Sequence, residues 1–264
     1  MQKSRNIVKK SMSKQEFTAL EAVGRSGLVV FGITDLQRLT GMRKTRCYQL
    51  VSQMNRKGLI SEIEGGKYVT AVPSRPDLLN IASHIVSPSY ISFWNALSFH
   101  GFTEQLPKTI FVATVRRKLA IAYEGTRIKF VTLSPSRFFG YTRVEGGAVI
   151  ADGEKSLVDS LLLPRYAGGM SEFVKCLSNA WKNIDAKKLI DYALRMHNRS
   201  LVKRLGYTVE ALNLPIEGKF IQRLRSNIGF GYSLLDPLGP RDGGYDRRWM
   251  LRVNSSIKLG KVII

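Results

Sequence analysis

The residues best suited to catalysing a reaction lie in one short segment of the chain. It holds three carboxylates and a lysine, at Asp152, Glu154, Asp159 and Lys155. Carboxylates that bind Mg²⁺ beside a lysine that orients water would make a metal-dependent nuclease or a nucleotide-transferring enzyme. Such sites commonly place one residue between acid and lysine on a strand. Glu154 and Lys155 are adjacent, so their side chains would point apart.

The element that carries this segment favours a structural role. Apolar spacing predicts a helix over residues 153–163, with Asp152 as its N-cap and Glu154 in its first turn. We therefore expect no catalytic, cofactor-binding or metal-binding residues, and keep Asp152, Glu154 and Asp159 as metal ligands only in the alternative, enzymatic reading. The three histidines lack ligand spacing, and two cysteines cannot form a thiolate metal site alone. We expect both cysteines, Cys47 and Cys176, to be reduced and buried.

A second group of polar residues indicates binding rather than catalysis. Cys47, Leu50, Val51 and Met54 follow the i, i+3, i+4, i+7 spacing of a helix with one buried face. The opposite face, which also holds Arg56, is rich in residue types that read base edges or contact phosphates. The predicted DNA-binding residues are Arg43, Lys44, Thr45, Arg46, Tyr48, Gln49, Ser52 and Gln53, together with Lys67.

The elements around this helix predict an N-terminal winged helix-turn-helix over residues 15–72. A first helix begins at its N-cap Thr34 and ends at the turn residue Gly41. A further helix over residues 15–23 would turn Phe17, Leu20 and Val23 inward. Strands at 59–64 and 67–72 flank Gly65-Gly66 and form a hairpin, the wing, with Lys67 at its tip.

Charge supports a polyanionic partner. The chain has 41 Lys and Arg against 20 Asp and Glu, a formal charge of +21. Residues 1–14 contain five of these cations and no acid, which predicts a flexible basic arm. The chain lacks the apolar stretch of a signal peptide or a membrane span, so we expect a cytoplasmic protein.

The second half predicts a mixed α/β domain, which gives an α+β fold overall. Two prolines make residues 73–76 a linker, and the C-terminal domain covers residues 77–264. Helices are predicted at 77–85, 89–99, 153–163, 171–182, 186–196 and 200–212. Strands are predicted at 109–115, 119–123, 127–133 and 144–150, as a small antiparallel meander, and at 232–235 and 247–253.

Several segments, in this order, resemble one known family, the AbiEi-type antitoxins, also described as predicted transcriptional regulators of viral defence systems. The matching pieces are Gly58-Leu59-Ile60, Gly66-Lys67-Tyr68, Tyr90-Ile91-Ser92, Ala96-Leu97, His100-Gly101, the A-D-x-E-K segment from Val149 to Asp159, the R-L-G-Y segment within Lys203 to Tyr207, and Trp249 with Asn254.

The resemblance implies the autoregulating antitoxin of a type IV toxin-antitoxin system. Such a repressor binds double-stranded DNA at its own promoter and counteracts a nucleotidyltransferase-like toxin without a tight complex. Independently of the resemblance, no heptad or amphipathic dimerisation helix stands out in the sequence, so a monomer in solution that binds DNA cooperatively is possible. Three other readings stay open: a regulator without a toxin, the enzyme described above, and a scaffold that uses its winged helix for protein contacts.

Overall fold

The computed structural model describes residues 12–255 of the chain. Most of the predicted basic arm, residues 1–14, lies outside the described residues. The N-terminal unit consists of α1 (Lys14–Ser26), β1 (Phe31–Gly32), α2 (Ile33–Thr40), α3 (Lys44–Arg56), β2 (Ile60–Glu64) and β3 (Lys67–Thr70). Its three strands form an antiparallel sheet in the order β1-β3-β2. The three helices pack around a core of their own that includes Ala19, Leu36 and Leu50.

Two local predictions for this unit are wrong. Helix α2 begins at Ile33 rather than after Thr34, because Gly32 is drawn into the sheet and the Asp35 carboxylate accepts a hydrogen bond from its N–H at 3.0 Å. Phe17 is 55% exposed, since Glu16, Ala19 and Val23 form the buried face of α1. A capping box between Ser13 and Glu16 fixes the start of that helix.

The second part of the chain is built on a six-stranded sheet. Its strands are β4 (Ser89–Ile91), β5 (Thr109–Thr114), β6 (Ile121–Tyr123), β7 (Thr126–Thr132), β8 (Tyr141–Arg143) and β9 (Val149–Ala151), in the order β6-β7-β5-β4-β9-β8. The predicted antiparallel meander is wrong: β5 is parallel to β7, and β4 is parallel to β9. The hairpin of β6 and β7 folds back so that β7 lies beside β5 and β6 takes the edge, which makes the sheet mixed.

Two predicted elements in this region are also corrected. Residues 89–99 contain β4 followed by a shorter helix, because pairing with β5 and β9 places Ser89–Ile91 inside the sheet. The predicted strand at 144–150 is mostly the turn between β8 and β9, which passes through Gly146 and Gly147, both at positive φ, and only Val149 and Ile150 belong to a strand. For β4, long-range strand pairing decides the local structure, while the turn between β8 and β9 depends on the two glycines.

Helices cover the sheet and extend the fold. They are α4 (Leu78–His84), α5 (Phe93–Phe99), α6 (Gly153–Leu162), α7 (Gly169–Ala180), α8 (Ala186–Arg195), α9 (Arg199–Ala211) and α10 (Gly218–Arg225). The helices from α6 to α10 share an apolar core that includes Leu157, Phe173 and Leu205. Cys47 and Cys176 are free and buried, as predicted. Burial raises the pKa of the Cys176 thiol to about 12.

A small three-stranded sheet closes the described chain. It consists of β10 (Ser233–Leu234), β11 (Gly244–Asp246) and β12 (Leu251–Val253), in the order β10-β12-β11. Strand β12 is shorter than the strand predicted at 247–253. Residues 247–250 instead form a turn that places Trp249 in the helical core. No strand was predicted at β11 and no helix at α10.

The N-terminal sheet packs against the six-stranded sheet. Ile63 and Val69 belong to the same apolar core as Ile81 and Val112. Both carboxylate oxygens of Glu64 accept hydrogen bonds from the ammonium of Lys118 at 2.7 Å. These contacts join the sequences on the two sides of residues 73–76. They do not test whether that segment is a linker.

None of the helices in residues 12–255 combines the length and the hydropathy needed to cross a bilayer.

Candidate nucleic-acid interface

Helix α3 presents the predicted binding residues on one accessible face. Cys47, Leu50, Val51 and Met54 are buried, as the helical spacing predicts. On the other side, Arg46 and Gln53 are half-buried, and the remaining predicted residues of this segment are exposed. These are Arg43, Lys44, Thr45, Tyr48, Gln49 and Ser52. The structure therefore brings eight of the nine predicted residues onto the outer side and N-terminal end of one helix.

The N-terminus of α3 has no side-chain cap. Arg43 occupies the N-cap position, its side chain makes no capping hydrogen bond, and the first turn contains no acidic residue. The helices α1, α4, α6, α8 and α9, in contrast, each have an N-cap side chain that accepts a backbone N–H. Free N–H groups and the positive end of the helix dipole favour an anion at such a terminus.

Two of the predicted base-reading residues are positioned by a polar contact. The Arg46 guanidinium donates a hydrogen bond at 3.1 Å to the amide oxygen of Gln49. Its other terminal nitrogen donates to the amide oxygen of Gln15 on α1. Gln15 was not predicted as part of the site, because no local spacing relates it to α3. Within residues 12–255, no carboxylate forms an ion pair with Arg43, Lys44 or Arg46.

The structure places Lys67 differently from the other predicted residues. It lies at the start of β3, and its ammonium donates to the backbone carbonyl of Ile85 and contacts the Glu64 carboxylate at 3.0 Å. The two contacts hold the ammonium between the other strand of its hairpin and the end of α4. The side chain would have to leave them to reach DNA.

The Asp152 to Asp159 segment forms two separate ion clusters. Asp152 caps α6 by accepting the N–H of Lys155 at 2.8 Å. Its other oxygen lies 3.1 Å from the ammonium of Lys188, which also donates to Glu154 at 2.8 Å. Glu154 in addition accepts the N–H of Asp185 at 2.9 Å, which ties α6 to α8.

Asp159 belongs to the second cluster, in the interior of the protein. Its side chain and that of Lys155 are fully buried and form an ion pair one helical turn apart. The hydroxyls of Tyr90 and Ser92 donate to the other Asp159 oxygen at 3.0 and 2.7 Å. Burial lowers the pKa of the Lys155 ammonium, against the opposing effect of Asp159. The cluster thus joins α6 to β4.

This geometry contradicts the use of Asp152, Glu154 and Asp159 as one metal site. In the described part of the chain, no group of three or more acidic, histidine or cysteine residues is arranged to hold a metal ion. Lysines occupy the positions beside the carboxylates that a cation would need. The adjacent acid and lysine point apart, as the helical assignment predicts.

The Lys188 cluster yields a pH-dependent stability prediction. Burial tends to raise the pKa of Glu154, but hydrogen bonds from Lys188 and from Asp185 N–H more than offset it, so the pKa is lowered. A lowered carboxyl pKa stabilises the fold above the unfolded value, about 4.3, and this contribution is lost as pH falls through the folded value. We expect Lys188→Met to cost about 1 kcal/mol at pH 7, since water screens its 38% exposed side chain, and less below about pH 4.

Urea denaturation at several pH values measures this effect. The control is Lys187→Met, which removes the exposed neighbouring lysine on the same helix. Equal losses of unfolding free energy at pH 7 and pH 3.5 would contradict the proposed ionic contribution.

Comparisons with known proteins bear on the fold alone. Neither the family models nor the curated proteins that were compared contain a match to this chain. Among solved structures, the fold is similar to that of the RV2827C protein from Mycobacterium tuberculosis. The TM-score is 0.61, the alignment covers 91% of each chain, and the sequence identity is 14%. The mixed α and β architecture is therefore shared across nearly the full length of both chains.

The R-L-G-Y segment, Trp249 and Asn254 lie close together in the C-terminal part of the structure. On α9, Arg204 donates through Nε to the carbonyl of Leu234 at 2.9 Å. Gly206 faces the ring of Trp249, whose indole N–H donates to Glu210 at 2.7 Å. Asn254 bonds the backbone of Asp236 in both directions. These residues attach the small sheet to α9, a role that no local pattern predicted.

Proposed function

We propose that the chain is a sequence-specific DNA-binding transcriptional regulator whose N-terminal unit acts as a winged helix-turn-helix. The observation that carries the proposal is the outer face of α3, where the polar and basic residues are accessible and unpaired with carboxylates within residues 12–255. Helix α3 would lie in the major groove, as recognition helices do. The formal charge of +21 favours the approach to DNA.

The proposal assigns different roles to different residues of this face. Arg43 and Lys44, with the uncapped N-terminus, would hold a phosphate and fix the register of the helix on the duplex. Gln49 and Arg46 have the donor and acceptor patterns that read adenine and guanine edges. Their mutual hydrogen bond holds both side chains in one arrangement before DNA arrives.

The proposal is tested by binding to the DNA upstream of the chain's own gene. At about 150 mM salt, we expect a preference of roughly 1000-fold over an unrelated duplex of the same length. Gln49→Ala should cost about 1–3 kcal/mol on the specific duplex and little on the unrelated one. Lys44→Ala should weaken binding to both.

Matched controls separate the role of the face from a general loss of charge or polarity. Gln222→Ala and Lys182→Ala remove exposed residues of the same types from distant elements. Specific binding that survives Gln49→Ala and Arg46→Ala together would show that α3 does not read the sequence. Lys67→Ala tests the predicted wing contact separately. If its ammonium stays with Ile85 and Glu64, the variant binds both duplexes like the parent protein.

We further propose that this regulator is the autoregulating antitoxin of a type IV system. The support is the resemblance of the A-D-x-E-K and R-L-G-Y segments to the AbiEi-type family. The test is co-expression with the product of a neighbouring nucleotidyltransferase-like gene. Growth arrest by that product should be relieved by the full chain and by its Gln49→Ala variant alike, because antagonism of the toxin is separate from promoter binding. Unrelieved arrest would leave a regulator that does not counteract this toxin.

A further inference from the structure

Three aromatic side chains project from the small C-terminal sheet and the loop before it. Phe230 is 94% exposed, Tyr245 on β11 is 61% exposed and Tyr232 is 45% exposed. The rings of Tyr232 and Tyr245 meet edge to face, with their centroids 4.8 Å apart. We call these three residues the aromatic platform. Exposed aromatic rings that cluster in this way mark interaction surfaces more often than isolated ones do.

The backbone that carries the platform is held in place. The buried ammonium of Lys203 donates to the carbonyl of Gly231, and the hydroxyls of Ser200 and Ser233 are 2.9 Å apart. Gly229 lies so close to Arg199 that a Cβ there would be 2.8 Å from its side chain. Helix α9 thus holds the loop on both sides of Phe230. The ring is exposed although the backbone that carries it is held in place.

Two arginine side chains lie beside the platform or the loop that carries it, Arg252 and Arg199. The guanidinium of Arg252 lies 5.5 Å from the centroid of the Tyr245 ring. Among the described residues, no carboxylate forms an ion pair with Arg252 or Arg199, or with Arg241 and Arg247, which precede and follow β11 in the sequence. Asp242 is the exposed acid of this region, while the carboxylates of Asp236 and Asp246 accept backbone N–H groups.

We propose that the aromatic platform binds single-stranded nucleic acid. Unpaired bases offer flat faces that stack on Phe230 and on the tyrosine rings, and the arginines neutralise the phosphates between them. A duplex keeps its base faces stacked inside the helix, so it exposes only the base edges and the backbone. This combination of exposed rings and unpaired guanidinium groups fits a polyanion better than a neutral protein surface. The inference does not depend on the proposed role of α3.

The test measures the affinity of the full chain for labelled oligothymidylate, oligouridylate and a duplex, each of about 12 nucleotides, within the site sizes of such platforms. At about 150 mM salt we expect tighter binding of a single strand than of the duplex. Phe230→Ala and Tyr245→Ala should each weaken single-strand binding about 10-fold. The two single-stranded probes distinguish DNA from RNA as the ligand, and binding of either supports the proposal.

Three controls separate this site from the others. Phe17→Ala removes an exposed phenylalanine of the N-terminal unit and should leave single-strand affinity unchanged. Gln49→Ala should also leave it unchanged, while Phe230→Ala should not alter binding of the promoter duplex. An unchanged single-strand affinity in Phe230→Ala would overturn the proposal, whatever the affinity for the duplex, because α3 is itself proposed to bind duplex DNA. A lower melting temperature of Phe230→Ala with unchanged single-strand affinity would show that the ring packs on the chain itself. That result would also refute the proposal.

Discussion

Asp159→Ala should lower the free energy of unfolding by about 3–5 kcal/mol at pH 7, because it leaves a buried ammonium without its counter-charge. The Asp159 and Lys155 side chains are both fully buried, so water cannot replace the lost partner. The variant also removes the acceptor of the Tyr90 and Ser92 hydroxyls, which bond Asp159 in the parent protein. Chemical denaturation followed by circular dichroism measures the loss.

The pH dependence of this loss has a definite sign. Burial already lowers the pKa of Lys155 in the parent protein, and the removal of Asp159 lowers it further. Between that lowered folded value and the unfolded value, about 10.4, the unfolded chain binds more protons than the folded chain. Stability of the variant therefore rises with pH in this window, and its deficit should be smaller at pH 9.5 than at pH 7.

A double variant provides the matched control for Asp159→Ala. Lys155→Met with Asp159→Leu replaces both charges by apolar side chains of similar size, and should recover most of the lost stability. A loss below 1 kcal/mol in Asp159→Ala, or a double variant less stable than the single one, would contradict the burial of an isolated charge as the cause.

Gly206→Ala is the second change with a large expected effect. A Cβ at this position would lie 2.1 Å from the ring of Trp249, far inside van der Waals contact. Trp249 is 1% exposed and has the helical core on its other sides, so the ring has no space to shift. We expect a loss of about 3 kcal/mol, the upper end of the usual cost of inserting an extra methyl group into a packed core.

Denaturation curves and tryptophan fluorescence measure this effect. The control is Gly24→Ala on α1, where no atom lies within 4 Å of the added Cβ, and where the change should stabilise the helix by up to about 1 kcal/mol. Because Gly206 and Trp249 are in contact, Gly206→Ala should cost little more in a Trp249→Ala background. Additive losses in the double variant would show that the ring is not the obstacle.

Helical periodicity was sufficient to predict the elements whose neighbours in space are also neighbours in sequence. The buried face of α3 and the capping role of Asp152 follow from spacing within about two turns, and the structure confirms both. The same reasoning separated Glu154 from Lys155 and so argued against a metal site. The same helical spacing predicted the accessible face of α3, opposite the buried one.

The sequence was less informative where distant segments decide the structure. Ser89–Ile91 becomes a strand because β5 and β9 lie on its two sides, and no local preference contains that information. The ammonium of Lys67 is drawn to Ile85 in the same way. The aromatic platform was missed because its rings come from β11 and from the loop before β10, which meet only in the folded chain.

The placement of the two cysteines allows the opening of two cores to be followed separately. Cys47 lies in the core of the N-terminal unit and Cys176 in the helical core, and both thiols are buried. A thiol reacts with alkylating reagents only as an exposed thiolate, so each reaction rate reports how often its own core opens. Mass spectrometry of the alkylated peptides can then compare the two openings in the native protein without any substitution.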